Sequence, residues 1–294
     1  MDHSHGNNSV PVTNGTFASY TYLGVLILLL AFRDLYRYLH LYQAKYCSKA
    51  RAQGNLNKSF VSRLKLDRIF VLIYAISGLF VEIIINKVTH RPREYALHNI
   101  YANLILYATV ELMQACSWKL PEHSSECSEG LVHLTGAILF NVLGRGHVHV
   151  IVTCRLLIEY LFAGTCICIV IQRGMENKIL AGLLKPYLYL TLGMWLCQSA
   201  WIIDSPSGAW VEASHKNVML VTVVFGWHLF SAIAILCACV IVISKVNKFA
   251  YENTSSISSM ERLALLDHPR EVINTSFDGL RYTRVPTKDS THVH

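Results

Sequence analysis

Long apolar runs separated by short polar links dominate the chain, and their lengths decide how it is read. Seven runs, at about 17–36, 67–86, 98–118, 130–146, 150–172, 180–204 and 217–244, approach the roughly 20 residues that carry an α-helix across a bilayer. They lack the period-two alternation of barrel strands, and backbone polar groups in lipid must be satisfied internally, so helices are the expected form. The pattern predicts an all-α, seven-transmembrane-helix bundle. It divides the chain into an amino-terminal segment at 1–16, a bundle at 17–245 and an unstructured polar tail at 246–294.

Polar residues inside the runs repeat at helical spacing. Asn103, Tyr107, Glu111 and Gln114 form one stripe in the third run, and Tyr74, Gly78, Glu82 and Asn86 form another in the second. Asn217 and His228 share a face of the seventh run. An ionised side chain near the bilayer centre costs at least about 2.5–3.5 kcal/mol on insertion scales, so these stripes should point into the bundle. Hydrogen-bonded packing between helices accounts for such stripes without invoking chemistry. Arg155 and Glu159, one turn apart in the fifth run, are expected to neutralise each other.

Charge orients the bundle. Arg37, Lys45, Lys49, Arg51, Lys58, Arg63 and Lys65 crowd the link between the first two runs and mark it as cytosolic. The amino terminus is then lumenal or extracellular, and seven spans place the carboxyl terminus in the cytosol. Sequons at Asn7 and Asn14 fit that side as glycosylation sites. The tail carries two patterns of sorting signals. Glu261 with Leu265 and Leu266 has the acidic-dileucine form, and Tyr282 with Val285 has the tyrosine form. Together they imply clathrin adaptors as partners and an endosomal, lysosomal or trans-Golgi address, with the plasma membrane as the alternative.

Composition adds two exclusions. Only 15% of residues are charged and 53% are hydrophobic, which leaves no room for a separate soluble domain. The net charge of +7 comes largely from residues beside membrane runs, so it does not imply nucleic acid. The nine cysteines fall mostly within or beside apolar runs and form no disulfide framework.

With this topology Glu82, His98, His147, His149, Asp204 and His215 lie toward the lumenal face, and Glu159 and His228 lie deeper on the same side. Histidines with carboxylates can hold zinc or copper, or titrate at about pH 6. The His147-Val148-His149 pair serves equally well as a short polar elbow between helices. No cofactor and no metal are expected, and the pair is read as an elbow with a proton-sensing role.

Several segments resemble the transmembrane protein 45 family, multi-pass proteins of unknown function. Asn217-Val218-Met219-Leu220 through Phe225-Gly226-Trp227-His228 is similar to that family's asparagine-led span ending in Trp-His. Gly193-Met194-Trp195-Leu196-Cys197-Gln198 resembles its Gly-x-Trp-x-x-Gln segment, with Trp195 and Gln198 as the matched positions. Ser77–Glu82, His98 and the His147/His149 pair follow in family order. The chain departs from the family at Leu97, where Gln is usual, and after His149, where Val150-Ile151-Val152 replaces a linker bearing a second histidine pair. The resemblance implies a seven-helix endomembrane bundle with no assigned reaction.

Five function classes follow. A non-enzymatic trafficking or scaffold protein with a lumenal His/carboxylate cluster comes first. A proton-coupled or metal-ion transporter using Glu82, His98, Glu111, Glu159 and His228 is the alternative. A zinc hydrolase needs H-x-x-x-H in a late span, where only His228 stands, and a haem carrier needs more facing histidines than His98 and His228 supply. A G-protein-coupled receptor is disfavoured by Trp118-Lys119-Leu120-Pro121 standing where Asp-Arg-Tyr belongs.

Overall fold

The structure is a computed structural model, and it describes residues 14–46, 54–89, 95–145, 149–174, 178–204, 210 and 215–267. These form seven α-helices: α1 (Asn14–Tyr46), α2 (Gly54–Thr89), α3 (Tyr95–Ala115), α4 (Ser124–Gly144), α5 (His149–Gly174), α6 (Lys178–Ile203) and α7 (His215–Asp267). Five contain a stretch long and apolar enough to cross a membrane: Phe17–Leu39, Leu66–Ile85, Ser124–Gly144, His149–Gln172 and His215–Val246. The chain divides into two units, Met1–Asn247 and Lys248–His294; the described part of the second is the continuation of α7 to Asp267.

The helices outrun the hydrophobic runs that announced them. α1 continues to Tyr46 and α2 starts at Gly54, so most of the basic link is helical. α7 likewise continues past 245, where the sequence suggested an unstructured tail. Hydropathy marks where a helix would meet lipid. Where it ends is set by capping and backbone preference, which apolar runs do not encode.

α3 and α6 fall outside the five spanning stretches, yet α6 is the best-buried helix among the described residues. Tyr189, Leu190, Leu192, Trp195, Leu196 and Ala200 are all at most 2% exposed. Helices with buried polar faces belong inside a bundle; helices that meet lipid must be apolar outside. The outer surface agrees: Leu29, Phe70, Ile73, Phe80, Ile138, Val170, Trp227 and Phe230 are each more than half exposed. In water such a surface would be an aggregation hazard; in lipid it is the matching solvent. Helix-borne hydroxyls are satisfied locally, as Thr109, Thr165 and Thr191 donate to the carbonyls of Ile105, Leu161 and Tyr187 one turn back.

Pairwise contacts fix the helix directions. Tyr38 faces Gly182, Asp34 pairs with Lys185, Leu28 meets Gly193 and Phe17 meets Asp204, so α1 and α6 run antiparallel along their length. Glycines make that approach close. A Cβ on Gly24 would lie 2.7 Å from Cys197 Sγ and 2.8 Å from the Gly193 carbonyl oxygen, and one on Gly193 would lie 2.8 Å from the Gly24 oxygen. Small residues let helix backbones touch where lipid supplies no hydrophobic drive. α4 and α5 are antiparallel through Gly130–Cys166, Gly136–Phe162 and Asn141–Glu159. α3 runs parallel to α1, since Tyr22 meets Tyr101 and Arg33 meets Glu111. α4 runs parallel to α6 through Glu129–Lys185 and His133–Tyr189.

The result is a bundle with two distinct ends. One, here the Lys185 end, gathers the carboxyl ends of α1 and α3 and the starts of α4 and α6. The other, the Asp204 end, gathers the start of α1, the start of α3 and the carboxyl end of α6.

Candidate functional site

Four helices each present two polar residues one turn apart toward the same place near the Lys185 end. They are Arg33 and Arg37 on α1, Tyr107 and Glu111 on α3, Glu129 and His133 on α4, and Lys185 and Tyr189 on α6. Residues four apart share a helix face, so each helix contributes a two-residue tooth. Asp34, next to Arg33, turns instead toward α6.

The teeth mesh into one chain of alternating charge. Lys185 Nζ lies 2.5 Å from Glu129 Oε1 and 2.9 Å from Asp34 Oδ2. Arg33 donates to Asp34 Oδ1 at 3.0 Å, to Glu111 Oε2 at 2.9 Å and to the Tyr107 hydroxyl at 2.8 Å. Arg37 closes the chain on Glu111 Oε1 at 3.3 Å. Glu129, Lys185, Asp34, Arg33, Glu111 and Arg37 thus alternate in sign, three anions against three cations. The side chains of Arg33, Glu111 and Glu129 are 9%, 7% and 7% exposed, while Arg37 at 24% is the open end. Each buried charge therefore has an opposite partner, the condition under which such groups survive away from water.

A neutral branch extends from Glu129 deeper into the bundle. The Tyr189 hydroxyl donates to Glu129 Oε1 at 2.5 Å, and His133 Nε2 is 2.7 Å from the same hydroxyl. Tyr189 has one hydroxyl proton and gives it to the carboxylate, so His133 Nε2 is the donor to Tyr189. A cavity of about 10 Å³, lined by Leu23, Ile27, Leu104, Tyr107, His133 and Tyr189 among others, sits beside this branch. That volume holds one water at most.

Of the residues expected to form a lumenal cluster, Glu111 stands apart. Glu111 belongs to the ion-pair chain at the Lys185 end, about 20 Å along α3 from His98 at the rise of an α-helix. Glu82 is buried on α2 close enough to interact with Tyr101, and Gly78 on the same stripe packs against the Tyr101 ring. Glu159 receives both of its contacts from Asn141, at 2.9 and 3.0 Å, and Arg145 in turn donates to Asn141. The expected Arg155–Glu159 pair gives way to this arrangement. Arg155 is buried and turns its guanidinium to the Leu143 carbonyl, where a cation complements the carboxyl end of α4.

Asp204 accepts a hydrogen bond from the backbone N–H of Phe17 at 3.1 Å, in the first turn of α1. It thereby satisfies one of the donors a helix start leaves open, with a charge of the right sign. His149 is exposed at the start of α5, and His147 lies outside the described residues. His98 is half-buried on α3. His228 stands on α7 with its ring 5.7 Å from Trp195, whose indole N–H donates to the Cys154 carbonyl at 3.2 Å. Gln198 and Asn217 are half-buried, and Trp227 is exposed. Among the described residues no group of three or more His, Cys, Asp or Glu is arranged to hold a metal ion.

Of the sorting residues, Glu261, Leu265 and Leu266 fall within the helical stretch of α7, and Tyr282 and Val285 lie outside the described residues. Asn14 begins α1, while Asn7 lies outside the described residues. Arg33, Asp34, Glu129, Lys185 and Tyr189 were not singled out by the sequence reading, although the i,i+4 spacing of Lys185 and Tyr189 within an apolar run was available as a signal. A comparison with known protein families finds no match for the chain.

Proposed function

We propose that the protein is a non-enzymatic, seven-span endomembrane protein with a trafficking or scaffold role, related to the transmembrane protein 45 family. In this reading the amino terminus is lumenal, the Lys185 end faces the cytosol, and the tail addresses the protein through clathrin adaptors. One observation carries it: the charged groups at the Lys185 end are spent on one another. Six alternating charges tie α1, α3, α4 and α6 together, and the cavity beside them holds a single water at most. Such an interior supports a fixed framework rather than a substrate chamber. The separate contacts of Glu159 with Asn141 and of Asp204 with the Phe17 backbone support packing roles over a lumenal sensor. The test is localisation of the tagged full chain with Glu261, Leu265, Leu266 and Tyr282 replaced by Ala. Redistribution to the cell surface supports the sorting role, and an unchanged compartment contradicts it.

The transporter alternative draws on the continuous branch from His133 through Tyr189 and Glu129 to Lys185, which joins the buried histidine to the ion-pair chain. Proton flux in proteoliposomes tests it. A flux abolished by His133→Phe would favour transport, and absence of flux in the parent would leave the framework reading.

A further inference from the structure

Two buried residues beside the ion-pair chain have opposite hydrogen-bonding needs and line the same cavity. His133, 4% exposed, gives its Nε2–H to the Tyr189 hydroxyl, which leaves Nδ1 as a lone-pair acceptor. That atom is buried with no hydrogen-bond partner among the described residues. Tyr107, 3% exposed, needs an acceptor. Its hydroxyl oxygen accepts from Arg33 at 2.8 Å, and its own proton goes to no acceptor among the described residues. Glu129 keeps one oxygen in reserve, since Lys185 and Tyr189 both meet Oε1. Buried polar groups left unpaired are destabilising, so a species that serves all three is held firmly. Tyr107 on α3 and Glu129 and His133 on α4 share the wall of the cavity of about 10 Å³, and apart from Tyr189 the rest of that wall is apolar.

We infer that this cavity is a binding site for one water molecule, which accepts from the Tyr107 hydroxyl and donates to His133 Nδ1 and Glu129 Oε2. The volume suits a single water, and about three hydrogen bonds are what a buried water ordinarily makes. A cation leaves the Tyr107 proton without an acceptor, and a halide leaves Nδ1 without a donor. Water serves both. It also closes a ring. Arg33 donates to Tyr107, Tyr107 to the water, the water to His133, His133 to Tyr189 and Tyr189 to Glu129, so the whole path points one way, from a guanidinium to a carboxylate. The ion pairs of Glu129 with Lys185, Lys185 with Asp34 and Asp34 with Arg33 complete the circuit. Hydrogen bonds aligned head to tail polarise and strengthen one another. The water thus joins the neutral branch to the charged chain and ties α3 to α4, under either functional reading above.

The experiment pairs a high-resolution density map of the full chain in detergent with nitrogen NMR of the same protein carrying isotope-labelled histidine. Loss of signals in His133→Gln assigns those of His133. The map should hold one peak at hydrogen-bond distance from both the Tyr107 hydroxyl and His133 Nδ1. The spectrum should show His133 protonated at Nε2 and bare at Nδ1, with magnetisation passing from water protons to Nδ1. Tyr107→Phe keeps the ring and removes only the hydroxyl, and it should lose most of that transfer. A cavity without a peak, a proton on Nδ1, or transfer unchanged in Tyr107→Phe overturns the inference. If either variant fails to fold, the parent map decides alone: a peak bonded to both residues supports the water, and no peak contradicts it.

Discussion

The two ends of the bundle use polar residues in opposite ways. At the Lys185 end four helices interlock through one shared network in which each central member touches two others. At the Asp204 end three polar contacts stand separately. Asp204 closes the start of α1, Asn141 holds Glu159, and Arg155 meets the last turn of α4. Histidines crowd the sequence near the second end, and they drew the functional reading there. Chemical interest by residue type and structural weight by connectivity thus point to opposite ends. A network couples distant helices, whereas isolated caps stabilise only the turns they touch.

The contrast is broken most forcefully at its centre. Lys185→Met leaves Asp34 and Glu129 facing each other without their shared cation, and removing one member of a buried ion pair costs about 3–5 kcal/mol. Thermal unfolding in detergent should show a large loss for this variant. Next in size is the helix seam that holds the two ends in register. Gly24→Val places its side chain against the Gly193 backbone, which has no rotamer with which to retreat, and should cost about 1–3 kcal/mol in the same assay. Asp204→Ala removes one cap and should cost about 1 kcal/mol, with faster amide exchange confined to the first turn of α1. Smallest is the double change His147→Ala with His149→Ala, expected to shift stability by less than about 0.5 kcal/mol. Elemental analysis should find the same metal content in that variant as in the parent. A loss of bound zinc or copper would make the histidine end the functional centre instead.

Much of the framework was legible in the sequence because helix placement in lipid follows hydrophobic length. The inward stripes were legible too, since the period of a helix puts Tyr107 with Glu111 and Gly78 with Glu82 on single faces, and all four are buried. The network was not. Arg33 and Asp34 sit at the end of an apolar run beside a basic link, and Lys185 stands near the start of another, where each passes for an interfacial charge. Their meaning depends on which helices pack together, and that is decided by glycine contacts such as Gly24 with Gly193 across α1 and α6. The cost of burying an ion argued that each charge must have a partner. Sequence spacing could name the i,i+4 teeth, but only the fold joins Lys185 to Asp34 and Glu129. The helical course of the chain past the hydrophobic runs was illegible for a related reason, because polar helices leave no mark in hydropathy.

Above all, the Lys185 network should behave as one coupled unit while the Asp204 end does not. A double-mutant cycle on Asp34→Leu and Lys185→Met, read by thermal unfolding of the full chain in one detergent, tests this most directly. Direct contact predicts a coupling energy of about 1–3 kcal/mol for this pair, against near-additive behaviour for Asp204→Ala combined with His149→Ala. Additivity of Asp34 and Lys185 within about 0.5 kcal/mol would contradict the coupling.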